Sequence, residues 1–197
     1  VVISGADRHR IEENDAPAIS DDELLISVKY VGVCNTDLEI LKGELSYYKS
    51  GWAKYPIVPG HEFSGLVARK GKNVADFAVG DKVVGECILG CGNCPVCRDD
   101  NPIACASRQE VGVLNYHGAY SQYIKMPARA VLKLPAEARL EVACLVEPLA
   151  VCLKGIRRLT SGEGPGGRKV AVLGFGTIGN LCAQVMARRG HQVTVFD

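Results

Sequence analysis

The sequence predicts an α/β protein in two parts, a compact β barrel followed by the beginning of a doubly wound parallel sheet, and three features predict it. Short apolar runs separated by glycine turns recur up to about residue 135, the pattern of a small barrel of many short strands. At about residue 137 the apolar spacing becomes helical. Farther on, a short strand-like run passes through a glycine-rich turn and a helix into a second strand-like run, which is one βαβ unit.

Taken in order, residues 1–33 read as β, with Glu23 to Val31 the clearest strand, set off by the turn signals Pro17, Asp21 and Asp22. Asp37 to Lys42 predicts a short helix ended by Gly43. The loop after it carries Tyr47, Tyr48 and Trp52, aromatics that either line a substrate cleft or pack in the core. Ser64 to Ala68, Gly80 to Gly85, Gly118 to Lys125 and Ala130 to Pro135 are further short strands. Leu140 to Leu159 predicts two helical pieces, the second from Pro148, and Thr160 to Gly167 a loop. Lys169 to Leu173 is a buried-strand pattern, Gly174 to Arg189 a turn and helix, and His191 to Phe196 the next strand.

A net charge of +1 gives no reason to expect nucleic acid or an anionic membrane as partner. No apolar run approaches a membrane span, and no signal peptide is visible. Cys87, Cys144, Cys152 and Cys182 sit singly among apolar residues and read as reduced thiols, which fits a cytoplasmic protein. The chain begins without Met and stops at Asp197 directly after a strand-like run, so both ends are expected to be cuts.

Cys91, Cys94, Cys97 and Cys105 follow the spacing C-x₂-C-x₂-C-x₇-C, which can close a tetrahedral shell around one ion. Zinc suits four thiolates; an iron–sulfur cluster and a set of buried or bonded cysteines are the alternatives. A closed shell leaves no position for substrate, so this site is structural. Gly174-Phe175-Gly176-Thr177-Ile178-Gly179 is a G-x-G-x-x-G turn between a strand and a helix. Gly174 permits the turn, Gly176 lets backbone approach a pyrophosphate, and Gly179 lets helix pack on strand, while the helix start at Thr177 and Ile178 offers free N–H groups. Asp197, 18 residues past Gly179, would accept hydrogen bonds from ribose hydroxyls and repel a 2′-phosphate, favouring NAD over NADP. A ligand-free βα turn is the alternative. Cys34 and His61-Glu62 form a possible second metal site. Glu147, a carboxylate inside an apolar stretch, needs either a salt bridge or a metal.

Together, Cys34-x-Thr36-Asp37, Gly60-His61-Glu62, the four-cysteine run, Glu147-Pro148-Leu149 and Gly174-x-Gly176-x-x-Gly179 resemble the zinc-dependent medium-chain dehydrogenases, in that family's order and spacing. Glu-Pro-Leu at 147–149 is similar to the sorbitol (polyol) and threonine dehydrogenase branch. The resemblance implies a GroES-like catalytic domain over residues 1–148 and the start of a Rossmann NAD-binding domain over 149–197. It implies a catalytic zinc on Cys34 and His61, with Glu62 and Glu147 as interchangeable or water-mediated third ligands, beside a structural zinc on the four cysteines. Thr36 is implied as the hydroxyl that passes on the proton of a small alcohol or carbonyl substrate. Many members carry His where this chain has Glu39, which leaves the outer proton route open. Family members are longer, so the chain is expected to be a fragment of a homodimer or homotetramer. An NADP-dependent aldehyde or ketone reductase and a non-catalytic zinc-stabilised scaffold are the competing readings.

Overall fold

The computed structural model describes residues 1–159 and 167–197; of the loop expected at Thr160 to Gly167, all but Gly167 lies outside the described residues. The chain divides into two compact units, Val1–Cys144 and Leu145–Asp197.

In chain order the first unit runs β1 (Val2–Gly5), β2 (Arg8–Arg10), β3 (Glu23–Val31), α1 (Asn35–Lys42), α2 (Ser46–Lys49), β4 (Phe63–Lys70), β5 (Lys82–Gly85), β6 (Ile88–Leu89), α3 (Pro95–Arg98), β7 (Gln109–Val111), β8 (Asn115–Tyr116), β9 (Tyr123–Pro127), β10 (Val131–Lys133) and α4 (Leu140–Ala143). Its main sheet is antiparallel in the order β10-β5-β4-β3-β9. Leu24, Ile26, Phe63, Val67, Val83, Ile124, Met126 and Val131 meet in one core drawn from all five strands, the arrangement of the expected barrel. Each such side chain contributes about 1.5–3 kcal/mol on burial. A second small core of Ile3, Ile40, Ile57 and Val113 holds α1 and the β1 hairpin.

Two local features position the site. Val31 pairs with Phe63 in the antiparallel β3–β4 ladder, and the Gly32 N–H donates to the Glu62 carbonyl (2.7 Å). The exit of β3 therefore lies beside the entry of β4, which brings Cys34 to His61-Glu62 across 27 residues of sequence. The helix α1 starts at Asn35, two residues before the expected Asp37, because Cys34 is its N-cap and the Asp37 carboxylate reaches back to the Cys34 N–H (3.0 Å). Gly43, in the left-handed conformation, ends it as expected.

One strand starts later than the sequence predicts. The run from Gly118 was expected to be extended, yet β9 begins only at Tyr123. The Gly118, Ala119 and Tyr120 N–H groups donate to the Val58, Gly60 and Pro59 carbonyls (2.7, 2.8 and 2.9 Å), so a neighbouring turn takes the hydrogen bonds that a ladder would have used.

The second unit contains α5 (Val146–Leu159), β11 (Lys169–Leu173), α6 (Thr177–Arg188) and β12 (Gln192–Phe196). β11 and β12 are parallel from Lys169↔Gln192 to Leu173↔Phe196, which is the expected βαβ unit. The helix α5 starts two residues before Pro148, which sits in its first turn, where a missing N–H leaves no helical bond unmade. Cys152 of α5 and Cys182 of α6 are neighbours rather than isolated thiols: burial and the Cys182 thiol push Cys152 up to about 11. Among the described residues no helix is long and apolar enough to cross a membrane.

Candidate metal centres and nucleotide loop

Cys91, Cys94, Cys97 and Cys105 converge so that all four sulfurs lie within 4.8 Å of one another. The Cys91–Cys97 and Cys94–Cys105 sulfurs are 4.0 and 3.9 Å apart. A tetrahedral zinc with sulfur ligands at about 2.3 Å needs sulfurs about 3.8 Å apart, so the set fits zinc. The Asn93 and Cys94 backbone N–H groups hold the Cys91 thiol down to about 6, already on the side of thiolate. Short turns bring the thiols together: α3 starts at Pro95 directly after Cys94, and Gly92 is left-handed (φ 81°). Arg129 ties the lobe to the barrel by donating from Nη2 to the Gly90 carbonyl (2.7 Å).

Cys34, His61 and Glu62 form the second cluster, again with ligand atoms within 4.8 Å of one another. His61 and Glu62 are buried and Cys34 is half-buried. Gly32 makes the close approach possible, since a Cβ there would stand 3.1 Å from the Glu62 Cβ. The His61 imidazole, helped by the backbone and hydroxyl of Thr36, holds the Cys34 thiol below its ordinary value against the effect of burial. Burial pushes the Glu62 carboxyl up and Asp37 adds to this, while His61 opposes it. Three acidic groups packed around one imidazole suit a divalent cation, and a donor set of one sulfur, one nitrogen and one carboxylate leaves a fourth position open.

The remaining predicted residues fall as follows. The Cys34 sulfur and the Thr36 hydroxyl oxygen are 3.7 Å apart, within hydrogen-bond reach, so Thr36 stands at the cluster. Glu39 lies on the surface of α1, its carboxylate accepting from Asn35 Nδ2 (3.0 Å). Glu147 lies in the first turn of α5, in the second unit.

Sequence reasoning missed the group that organises the cluster. Asp37 is 5% exposed; its Oδ2 accepts from the Cys34 N–H and the Tyr120 hydroxyl (both 3.0 Å), and its Oδ1 accepts from the Gly60 N–H (3.1 Å). Oδ1 also stands 3.6 Å from His61 Nδ1. The Tyr120 hydroxyl lies 3.1 Å from the Gly32 carbonyl as well, and its ring fills the place of a Cβ on left-handed Gly60 (φ 93°), 2.6 Å from where that atom would be. Tyr120 thus touches the segments carrying Cys34, His61 and Glu62. The capping spacing of Cys34 and Asp37 was legible as a signal, whereas nothing local marks Tyr120.

In the second unit, Gly174 is left-handed (φ 87°) and its N–H donates to the Phe196 carbonyl (2.7 Å). A Cβ on Gly179 would collide with the Gly174 carbonyl oxygen, so helix and turn pack as the motif requires. A Cβ on Gly176 would meet nothing within 4 Å, which leaves open space before the N-terminus of α6, where Thr177 and Ile178 begin the helix. Asp197 Oδ1 accepts from the Phe175 N–H (3.0 Å), placing a carboxylate at the loop's edge. Room, free N–H groups and this carboxylate fit a dinucleotide.

The profile of the alcohol dehydrogenase GroES-like domain matches residues 20–136, more than half of the chain. The chain is 36% identical over 189 residues to the 2-dehydro-3-deoxy-L-galactonate 5-dehydrogenase of Pseudoalteromonas atlantica, covering 95% of this chain and 52% of that one. It is 33% identical over 189 residues to the sorbitol dehydrogenase of Bombyx mori, covering 92% and 51%. It therefore spans about half the length of the curated relatives it matches. A solved structure described as a zinc-binding dehydrogenase from Sinorhizobium meliloti, bound to NADP, superposes with a TM-score of 0.87 at 29% identity, over 99% of this chain and 54% of that one. With sequence profile and fold in agreement, the chain belongs to the zinc-dependent medium-chain dehydrogenases, the family of the alcohol dehydrogenase GroES-like domain.

Proposed function

We propose that the whole protein is a zinc- and NAD-dependent dehydrogenase that moves a hydride between a secondary alcohol, polyol or amino-alcohol and the nicotinamide. The observation that carries this reading is the convergence of Cys34, His61 and Glu62 within 4.8 Å at a three-ligand site. Functionally, residues 1–148 form the metal-binding catalytic domain and 149–197 open the NAD-binding domain; the compact units Val1–Cys144 and Leu145–Asp197 support a division in this region. Free thiols throughout the chain support a reducing, cytoplasmic setting, and the whole protein is a homodimer or homotetramer.

Cys34, His61 and Glu62 hold the catalytic zinc, with Glu147 the alternative third ligand, and the four-cysteine lobe holds the structural one. Bound zinc supplies the positive charge that makes a substrate hydroxyl acidic, and bound NAD supplies the hydride acceptor. Thr36, 3.7 Å from the Cys34 sulfur, takes the substrate's hydroxyl proton and hands it on. Asp37 fixes the Cys34 backbone and the turn before His61, so that both ligands keep their direction. Gly174 sets the turn and Gly179 lets helix pack on it, while the open space at Gly176 would admit the pyrophosphate, the N–H groups at Thr177 and Ile178 would meet it, and Asp197 would receive the adenosine ribose hydroxyls.

Metal analysis and turnover of the whole protein test this. Cys34→Ala and His61→Ala should each lose one zinc of two and all turnover. Thr36→Ala should keep both zincs and lose about 10²–10⁴ in rate. Cys34→Ala with two zincs and ordinary turnover would end the reading. Preference for NADP would instead favour the reductase, consistent with the cofactor in the S. meliloti structure.

A further inference from the structure

Two thiols that the dehydrogenase chemistry does not use lie beside the nucleotide turn. Cys152 is in the middle of α5 and Cys182 in the second turn of α6, two helices of the same compact unit. Cys152 is 3% exposed, and its thiol donates to the Ile178 carbonyl (3.5 Å). Ile178 precedes Cys182 by four residues within α6, so the same carbonyl is the helical acceptor for the Cys182 N–H. A helical Cα–Cβ bond leans toward the helix N-terminus, which carries the Cys182 side chain back over the Ile178 turn and toward the Cys152 sulfur. The contact is felt chemically: burial first, and then the Cys182 thiol, push Cys152 up to about 11.

The pair is unequal and well placed. Cys182 is half-buried and within reach of a small reagent, whereas Cys152 is buried and holds its proton tightly. Cys182 is therefore the thiol that reacts first, and Cys152 the one that resolves the product. Ile178 is the second residue of α6, in the turn whose free N–H groups would meet a pyrophosphate.

We propose that Cys152 and Cys182 form a reversible disulfide, made by a low-molecular-weight disulfide such as oxidised glutathione, and that this bond lowers the affinity of the nucleotide turn for NAD. The effect on NAD rests on the dehydrogenase reading above; the disulfide itself does not. Cys182 gives up its proton, and its thiolate attacks one sulfur of oxidised glutathione. A mixed disulfide forms, and the glutathione thiolate that leaves takes up the proton. Cys152 then gives up its proton, its sulfur attacks Cys182 Sγ, and the second glutathione leaves and is protonated in turn. Two cysteine thiols are oxidised, and one glutathione disulfide is reduced to two thiols. The bond draws the two sulfurs from non-bonded contact to about 2.05 Å, and it removes the thiol hydrogen that the Ile178 carbonyl accepts. The start of α6 is pulled toward α5, away from the position in which its N–H groups and the open space at Gly176 face one ligand. By linkage, bound NAD opposes the bond.

The whole, zinc-loaded protein is incubated with oxidised glutathione, digested without reduction and mapped by mass spectrometry, and its NAD affinity is measured by titration before and after. A peptide linked through Cys152 and Cys182 should appear, dithiothreitol should remove it, and bound NAD should slow its formation. The oxidised protein should bind NAD about fivefold more weakly, the lower end of ordinary coupling between two sites, and should recover in dithiothreitol. Cys182→Ser under the same treatment should form no linked peptide and keep its affinity, and Cys152→Ser should stop at the glutathione adduct on Cys182. The wild-type map decides the disulfide even where a variant does not fold. Absence of the linked peptide, pairing of either thiol with another cysteine instead, or unchanged NAD affinity in protein that carries the bond would overturn the switch. A reduced wild-type protein that binds no NAD overturns the cofactor reading, and the linked peptide then decides the disulfide alone.

Discussion

A carboxylate inside a barrel is tolerated only when donors surround it, and Asp37 has the Cys34 and Gly60 N–H groups and the Tyr120 hydroxyl. Hydrogen bonds to a charged acceptor are worth about 1.5–3 kcal/mol each, so this residue holds the turn and the helix start together. Tyr120→Phe keeps the ring that fills the Gly60 niche and removes only the hydroxyl. It should lower stability by about 1–2 kcal/mol, and it should speed release of one zinc to a chelator by about tenfold, the lower end of the effect expected for groups behind metal ligands. Zinc in the four-cysteine lobe is the internal control. Equal release from both sites, or none changed, would show that the hydroxyl does not position the cluster.

At the scale of elements, the two glycines of the nucleotide turn separate folding from binding. A Cβ on Gly179 has no room against the Gly174 carbonyl, whereas one on Gly176 points into open space. Gly179→Ala should therefore destabilise the β11–α6–β12 unit, by about 1–3 kcal/mol as for other overpacked sites, seen as earlier unfolding. Gly176→Ala should fold normally and fail to bind NAD, because its methyl occupies the place of the pyrophosphate. Wild-type affinity of Gly176→Ala for NAD would show that the open space is not the cofactor's.

For the molecule as a whole, the half-buried tyrosines set an alkaline limit. Burial, and for Tyr48 the neighbouring Tyr55, raises Tyr48 above its ordinary 10; burial, and for Tyr116 the charge of Glu23, raises Tyr116 likewise. Their folded pKa values exceed the unfolded ones, so this stability is fully present below about pH 10 and is lost as pH rises beyond it toward the folded values. Thermal unfolding should show a drop between pH 8 and pH 10.5 that is smaller in Tyr116→Phe than in wild type. A drop of equal size would mean that other groups govern the alkaline edge. In the second unit, Leu173 (81% exposed) and Phe196 (55%) stand open although strands of a parallel sheet normally have both faces covered.

The sequence by itself determined what depends on short range. The four-cysteine lobe, the glycine turn before α6, the strand Glu23–Val31 and the cap at Gly43 were legible because ligand spacing, φ > 0 and period-2 alternation are written in adjacent residues. The start of β9 was not, because Gly118 to Tyr120 give their N–H groups to a turn some sixty residues earlier in the chain. Only the tertiary structure decided that Cys34 meets His61 and Glu62, since the Val31↔Phe63 register joins them, and that Asp37 and Tyr120 bind the cluster together. It likewise decided that Tyr47, Tyr48 and Tyr55 pack on the small core while Trp52 lies against Arg108. The physical reason is common to these cases: partners far apart in sequence are chosen by antiparallel register and by buried polar groups seeking donors, and neither leaves a local pattern in the chain.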